Sequence, residues 1–197
     1  MKAGRIPALV TEKLMKLDGN GKKTVVLAVY GNRAYDDALL ELTTVMKERG
    51  FQVIAAGAFI AQHSIVPEVA SGRPDEKDVS EIHDFAKQVL NKIEKKEEGA
   101  IEVPGNYPYR EGSNTSASPI SLSSCGQCGK CAAVCPTGAL QIENGSVVTS
   151  LEKCILCMAC VSACPQQARV LPAPLKEGMK QKLGALKDVR RKNEMFF

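Results

Sequence analysis

Residues 125–136 read CGQCGKCAAVCP, and residues 154–165 read CILCMACVSACP. Each stretch contains four cysteines separated by two, two and three residues, and a proline follows the fourth cysteine. Every cysteine of the second stretch lies 29 residues after its counterpart in the first. All eight cysteines of the chain belong to this repeat, which predicts a module built from two similar halves.

Thiolates at this spacing are typical ligands of an iron–sulfur cubane, whose four iron corners each take one soft ligand. Three cysteines at short intervals can surround three corners, and the fourth, which precedes proline, reaches the other cluster. The spacing therefore predicts two [4Fe–4S] clusters with crossed ligand sets. The predicted ligands are Cys125, Cys128, Cys131 and Cys164 for cluster 1, and Cys154, Cys157, Cys160 and Cys135 for cluster 2.

Structural zinc is the alternative interpretation of the cysteines, because paired Cys-x2-Cys units also bind zinc. Zinc takes a single set of four ligands, and it does not explain Pro136 and Pro165. Disulfides are not expected in a reducing compartment. If all eight thiols are ligands, no thiol remains for catalysis, and we assign no catalytic residue.

The cysteine segment resembles the bacterial ferredoxins that carry two [4Fe–4S] clusters, over about residues 120–170. This resemblance implies a small domain with two short hairpins and two helical turns that transfers single electrons at low potential. We therefore expect an electron carrier rather than an enzyme with its own substrate. The alternatives are a flavin-dependent iron–sulfur oxidoreductase and a structural zinc or interaction module.

Upstream of the cysteines, apolar runs alternate with amphipathic segments. TVVLAVY at residues 24–30 and FQVIAAGAFI at residues 51–60 predict strands buried on both faces of a parallel sheet. Residues 78–81 have the form of a helix N-terminus with a capping acid. Apolar periodicity predicts helices over residues 6–17, 34–49 and 78–96. The alternation predicts an α/β arrangement with parallel crossovers.

Several segments of the chain resemble proteins that fuse a flavodoxin-like domain to a two-cluster ferredoxin. They are YGNRAYDDAL at 30–39, GAF at 57–59, HS at 63–64, GRPD at 72–75, PGNYPY at 104–109 and RKNEMFF at 191–197. In that family AGRIP, here residues 3–7, resembles the loop after the third of five strands. The first three strands and the phosphate loop are then absent from this chain, so we do not expect it to bind FMN. Gly31, Asn32 and Arg33 are the remaining candidates for lining a flavin ring.

These interpretations predict an α+β protein that joins a partial flavodoxin-like α/β domain (two parallel strands with helices) to a bacterial 2[4Fe–4S] ferredoxin domain. The predicted boundaries are 1–98 for the truncated flavodoxin-like domain, 99–119 for a linker, 120–172 for the ferredoxin domain and 173–197 for a basic amphipathic helix. The strand at residues 24–30 would then present an unpaired edge, through which we expect self-association or docking.

The charge distribution does not indicate nucleic-acid binding. The formal net charge is +4, and the surplus lies after residue 170, where seven basic residues face three acidic ones. Two bound clusters would add about −2 each, which brings the chain near neutrality. No apolar stretch is long enough to span a bilayer or to serve as a signal peptide. We therefore expect a cytoplasmic protein whose partners are redox proteins.

Overall fold

The computed structural model describes residues 4–97, 99–112 and 117–197, which separate into two structural units. The first unit takes the described residues of 4–63, 67–112 and 185–197, and the second takes those of 64–66 and 117–184. In the described residues the strands are β1 (Lys23–Tyr30), β2 (Gln52–Ile60), β3 (Ile120–Ser121), β4 (Leu140–Glu143), β5 (Ser146–Thr149), β6 (Arg169–Val170) and β7 (Glu194–Phe196).

The helices confirm the predicted segments to within a few residues in the N-terminal half. They are α1 (Ala8–Leu14), α2 (Ala38–Glu48), α3 (Glu76–Glu94), α4 (Lys130–Ala133), α5 (Ala159–Ser162) and α6 (Ala173–Leu183), followed by a 3-10 turn at Gly184–Leu186. No helix in the part of the chain that the structure describes is long and apolar enough to cross a membrane.

The first unit is built on a three-stranded sheet with β2 at its centre. β1 pairs with β2 in parallel, as predicted, and β7 pairs with the other side of β2 in an antiparallel sense. Because β2 is central, its residues from Val53 to Ile60 are all buried. Leu39 of α2 packs in the core on one face of the sheet, and Phe85 of α3 packs in the core on the other. The flavodoxin-like origin of this unit stays a prediction.

The outer side of β1 is the exposed edge of this sheet. Among the described strands β1 pairs only with β2. Val26 and Ala28 are buried, whereas the alternating residues Leu27 and Val29 are 49% and 58% exposed. This alternation is the pattern of a strand with one solvated face, and it differs from the prediction of burial on both faces. Association through this edge stays a prediction.

The C-terminal segment differs from the prediction of one helix over residues 173–197. The helix ends at Leu183, and the chain continues to β7. Asn193 fixes this strand, because its side-chain oxygen accepts the Ile60 N–H at 2.9 Å and its amide donates to Glu81 at 2.7 Å. Pairing with the free side of β2 satisfies backbone groups that a longer helix would have left exposed.

The predicted linker also differs, because much of it packs on the first unit. Ile101 is 3% exposed, within the core cluster of α2 and β2. Asp37, at the start of α2, accepts the backbone N–H groups of Asn106 at 2.8 Å and Arg110 at 2.7 Å. Part of the predicted polar stretch at 113–118 lies outside the described residues.

Helix α3 begins earlier in the chain than we predicted from the motif at residues 78–81. Asp75 is the N-cap, and its side chain accepts the Asp78 N–H at 3.1 Å. Asp78 in turn accepts the Asp75 N–H at 2.9 Å, which completes a capping box. The Arg73 side chain donates to Asp78 at 2.8 Å, so a buried ion pair holds the cap in place.

Apart from α6, the second unit is built from very short elements. β3 pairs with β6, and β4 pairs with β5, both in an antiparallel sense. Asn144 and Gly145 connect β4 to β5 with φ values of 47° and 72°, as the tight hairpin turn between them requires. Apart from α6, strands of two or four residues and helices of four leave little apolar surface to bury. The cysteine segment therefore depends on something besides an apolar core for its order.

Candidate functional site

The backbone of the second unit repeats with the same offset of 29 residues as the cysteines. Helices α4 and α5 correspond residue by residue at this offset. Residues with a left-handed backbone also fall in pairs, and these are Gln127 with Leu156, Gly129 with Met158, and Gly138 with Gln167. Left-handed residues beside helical or turn residues direct successive N–H groups to one side, which creates concave anion sites. The sequence repeat is thus a repeat of local conformation.

Exposure of the cysteines follows the repeat as well. The third cysteine of each stretch, Cys131 or Cys160, is buried, and the second, Cys128 or Cys157, is exposed. The first and fourth cysteines are intermediate: Cys125, Cys154, Cys135 and Cys164. None of the eight forms a disulfide. In each half the cysteines therefore range from buried to exposed.

Two cavities bring the cysteines together in crossed sets. The first is lined by four cysteines: Cys135, Cys154, Cys157 and Cys160. The second is lined by the other four: Cys125, Cys128, Cys131 and Cys164. In each cavity three cysteines come from one stretch and the fourth comes from the other. In the described residues no three His, Cys, Asp or Glu side chains form a group suited to a single metal ion.

Backbone N–H groups hold the fourth cysteine of each stretch. Ala139 donates to the Cys135 sulfur at 3.2 Å, and Ala168 donates to the Cys164 sulfur at 3.3 Å. Burial acts to raise the pKa of both thiols, but hydrogen bonds lower the pKa of each overall, from the Thr137 hydroxyl and backbone N–H groups at Cys135 and from backbone N–H groups at Cys164. This arrangement favours the thiolate form, which is the form that binds metal.

The two halves differ at the residue after each Cys-Pro pair. Thr137 places its hydroxyl 3.6 Å from the Cys135 sulfur. Gln166, the equivalent residue, instead accepts the Gly126 N–H at 2.7 Å and so connects the two stretches. The Cys135 sulfur therefore has a hydroxyl group beside it, whereas the equivalent residue near Cys164 contacts the Gly126 N–H instead.

Arg169 is a residue of this site that the sequence did not reveal. Its side chain lines both cavities and is 2% exposed. Burial raises the pKa of Cys160, and the Arg169 guanidinium opposes that rise. Only its position just after the second repeat could have drawn attention to it, since a single arginine in a sequence does not show that it is buried.

The three residues proposed as a remaining flavin loop have structural contacts of their own. Asn32 is fully buried, and its amide donates to the Val189 carbonyl oxygen at 2.6 Å. A Cβ atom on Gly31 would lie 2.6 Å from His63, so the backbones there are in close contact. Arg33 forms an ion pair with Asp36. The structure therefore gives each of them a role within the first unit.

Comparison with known families supports the interpretation of the cysteine segment. Residues 119–165 match the family model described as a 4Fe-4S dicluster domain. The match supports a ferredoxin-type iron–sulfur domain in this part of the chain and does not extend to the first unit. No curated protein matches the chain significantly.

Proposed function

We propose that the second unit binds two [4Fe–4S] clusters and that the chain is a low-potential, one-electron carrier between redox proteins. Each cluster would exchange one electron at a time when bound. Cys125, Cys128, Cys131 and Cys164 would hold cluster 1, and Cys154, Cys157, Cys160 and Cys135 would hold cluster 2.

The crossed lining of the two cavities is the observation that carries this proposal. Three cysteines of one stretch and the fourth of the other surround each cavity. This is the arrangement in which two cubanes share a pair of repeated motifs. Soft sulfur donors in sets of four are also the ligand type that such clusters require. A zinc module would need four sulfurs about 2.3 Å from one ion, a tighter grouping than a cavity lining requires.

The residues around the cavities have roles that suit electron transfer. The N–H groups of Ala139 and Ala168 stabilise negative charge on the two crossed sulfurs. Cys131 and Cys160 are buried, which keeps water from part of each site. Cys128 and Cys157 are exposed, so each site also reaches the protein surface. A partner docking at either exposed cysteine would come close to the site that this cysteine lines, and we propose that redox proteins do so.

Metal and sulfide content tests the proposal directly. The full chain is purified without oxygen, and iron, acid-labile sulfide, zinc and flavin are measured per chain. About eight irons and eight sulfides are expected from two cubanes. Zinc without sulfide would overturn the proposal in favour of a structural zinc module. Stoichiometric FMN beside full clusters would overturn the carrier assignment in favour of a flavin-dependent oxidoreductase.

A redox titration then tests the low potential. The clusters are expected to remain oxidised with mild reductants and to be reduced by a strong one, with electron paramagnetic resonance as the readout. Reduction by mild reductants would contradict the low-potential assignment and leave the cluster assignment standing.

A further inference from the structure

We infer that Arg169 raises the reduction potential of the iron–sulfur sites, because its buried guanidinium lies between the two cavities. This inference rests on the proposed function, and it concerns a residue outside the cysteine repeat. Its basis is the burial of the side chain, its hydrogen bonds, its place in the repeat and its charge.

The guanidinium is held in one position by three acceptors. One terminal nitrogen donates to the Ser121 hydroxyl at 2.9 Å. The other donates to the Pro119 carbonyl oxygen at 2.8 Å and the Thr149 hydroxyl at 3.2 Å. These acceptors come from two segments of the second unit, around β3 and at the end of β5, so the cation cannot turn toward solvent without breaking all of them.

One donor of this side chain is left without a partner. The Nε–H of Arg169 is buried and donates no hydrogen bond in the part of the chain that the structure describes. A buried N–H without an acceptor is destabilising. The surroundings of this side chain include cysteine sulfurs of both cavities. A sulfur-rich anion bound in either cavity would provide an acceptor for this N–H group.

The charge of Arg169 is likewise uncompensated by carboxylates. None of the ion pairs found among the described residues includes it. Arginine remains protonated in proteins, and burying a lone cation is costly. Negative charge on the cysteine sulfurs and on the clusters they hold would balance it. The acceptors that position the guanidinium are neutral, so its full charge acts on the two sites.

The repeat shows that this cation is not needed for the local fold. The position equivalent to Arg169, at the offset of 29 residues, is Leu140, which is 6% exposed. Both residues begin the short strand after a Cys-Pro turn, since β4 starts at Leu140 and β6 starts at Arg169. A leucine fills the position in one half, so the arginine adds a charge where the architecture accepts an apolar side chain.

A fixed cation beside a redox site favours the more negative, reduced state. The interaction is strong here because the guanidinium is removed from water, where screening would weaken it. Arg169 is therefore expected to make both clusters easier to reduce. Its loss should lower the equilibrium constant for reduction of at least one cluster tenfold or more, which corresponds to a fall of about 59 mV for a one-electron step.

The test compares R169L and R169M with the unchanged chain in redox titrations followed by electron paramagnetic resonance. R169L introduces at position 169 the residue type that the first half has at the equivalent position, Leu140. Lys153→Met is the matched control, because it removes an exposed charge next to the ligand Cys154. We expect the equilibrium constant for reduction of at least one cluster to fall tenfold or more in R169L and in R169M. The Lys153→Met control should change it less than threefold, since solvent screens exposed charges.

Each outcome decides the inference. Unchanged potentials in cluster-loaded R169L or R169M would overturn it, and so would an equal change in the Lys153 control. If neither apolar variant loads iron, R169K and R169Q decide, since lysine keeps the charge and glutamine removes it while keeping a polar side chain. R169K is then expected to change the equilibrium constant for reduction less than threefold and R169Q to lower it tenfold or more, and equal potentials in the two variants would overturn the inference. Full iron and sulfide in the unchanged chain with no effect of Arg169 would leave the proposed function intact, whereas absence of sulfide would remove both.

Discussion

The Cys135 sulfur accepts the backbone N–H of Ala139 at 3.2 Å, in a turn formed by its own stretch, yet it lines the cavity of the other stretch. Cys164 does the same, with Ala168 as its donor. Each fourth cysteine is thus positioned by the backbone of its own half of the repeat and lines the cavity of the other half. Neither stretch alone lines a cavity with four cysteines.

The first prediction follows from this crossing. Cys135→Ala should disrupt the cluster bound by Cys154, Cys157 and Cys160, and Cys164→Ala should disrupt the other one. The two variants form a matched pair, because both remove the fourth cysteine of a stretch. Electron paramagnetic resonance of the reduced proteins, with iron content, measures which cluster is lost. Loss of the cluster that belongs to the variant's own stretch would show that the sets are not crossed.

The second prediction concerns removal of iron. Strands and helices of two to four residues bury little apolar surface, so ligand binding must supply much of the order of the cysteine segment. A chelator should abolish hydrogen-exchange protection across residues 125–164 while residues 52–60 stay protected. Hydrogen exchange with mass spectrometry measures both regions in one sample. Equal protection before and after iron removal would mean that the segment folds without clusters.

The third prediction concerns the strand that the sequence did not reveal. Asn193→Ala should destabilise the first unit by about 1–3 kcal/mol, because the Ile60 N–H and the Asp78 carboxylate each lose a hydrogen bond. Asn91→Ala is the control, since Asn91 lies exposed on α3. Hydrogen exchange of residues 52–60 measures the loss, and iron content should stay unchanged. A similar effect of both substitutions would argue against the bridging role of Asn193.

The fourth prediction concerns pH. The Arg110 N–H lowers the pKa of Asp37 from its ordinary value of 3.8, against the opposing effect of burial. A carboxyl group with a lowered pKa stabilises the fold fully above its unfolded pKa, and this contribution is lost as the pH falls below about 3.8. Asp37→Asn should therefore destabilise the first unit by about 1–3 kcal/mol at pH 7 and reduce its loss of stability as the pH falls from about 4 to about 2.

Exchange rates of the β2 amides, corrected for the intrinsic effect of pH, measure this change in the first unit. The unchanged chain should lose protection more steeply than Asp37→Asn as the pH falls. Parallel curves for the two proteins would mean that Asp37 does not contribute to the pH dependence.

Local patterns were sufficient where neighbours in sequence make the structure. The runs at 24–30 and 51–60 formed parallel strands, because alternation and apolar length are properties of each run by itself. The apolar stripe that predicted a helix over residues 173–197 held only to Leu183. β7 is three residues long, too short for a periodic pattern to distinguish it from loop. Its existence depends on the free side of β2, which is far away in sequence.

The sequence by itself determined the repeat, the spacing of the eight cysteines and therefore the ligand chemistry, because these are properties of residues close together in the chain. Only the tertiary structure decided that Arg169 lies buried between the two cavities and that Asn193 joins Ile60 across 133 positions. Contacts at such separations depend on which surfaces remain free after the local elements have formed. The pattern of a single segment does not predict those surfaces. The contacts are therefore known only once the fold has brought the residues together.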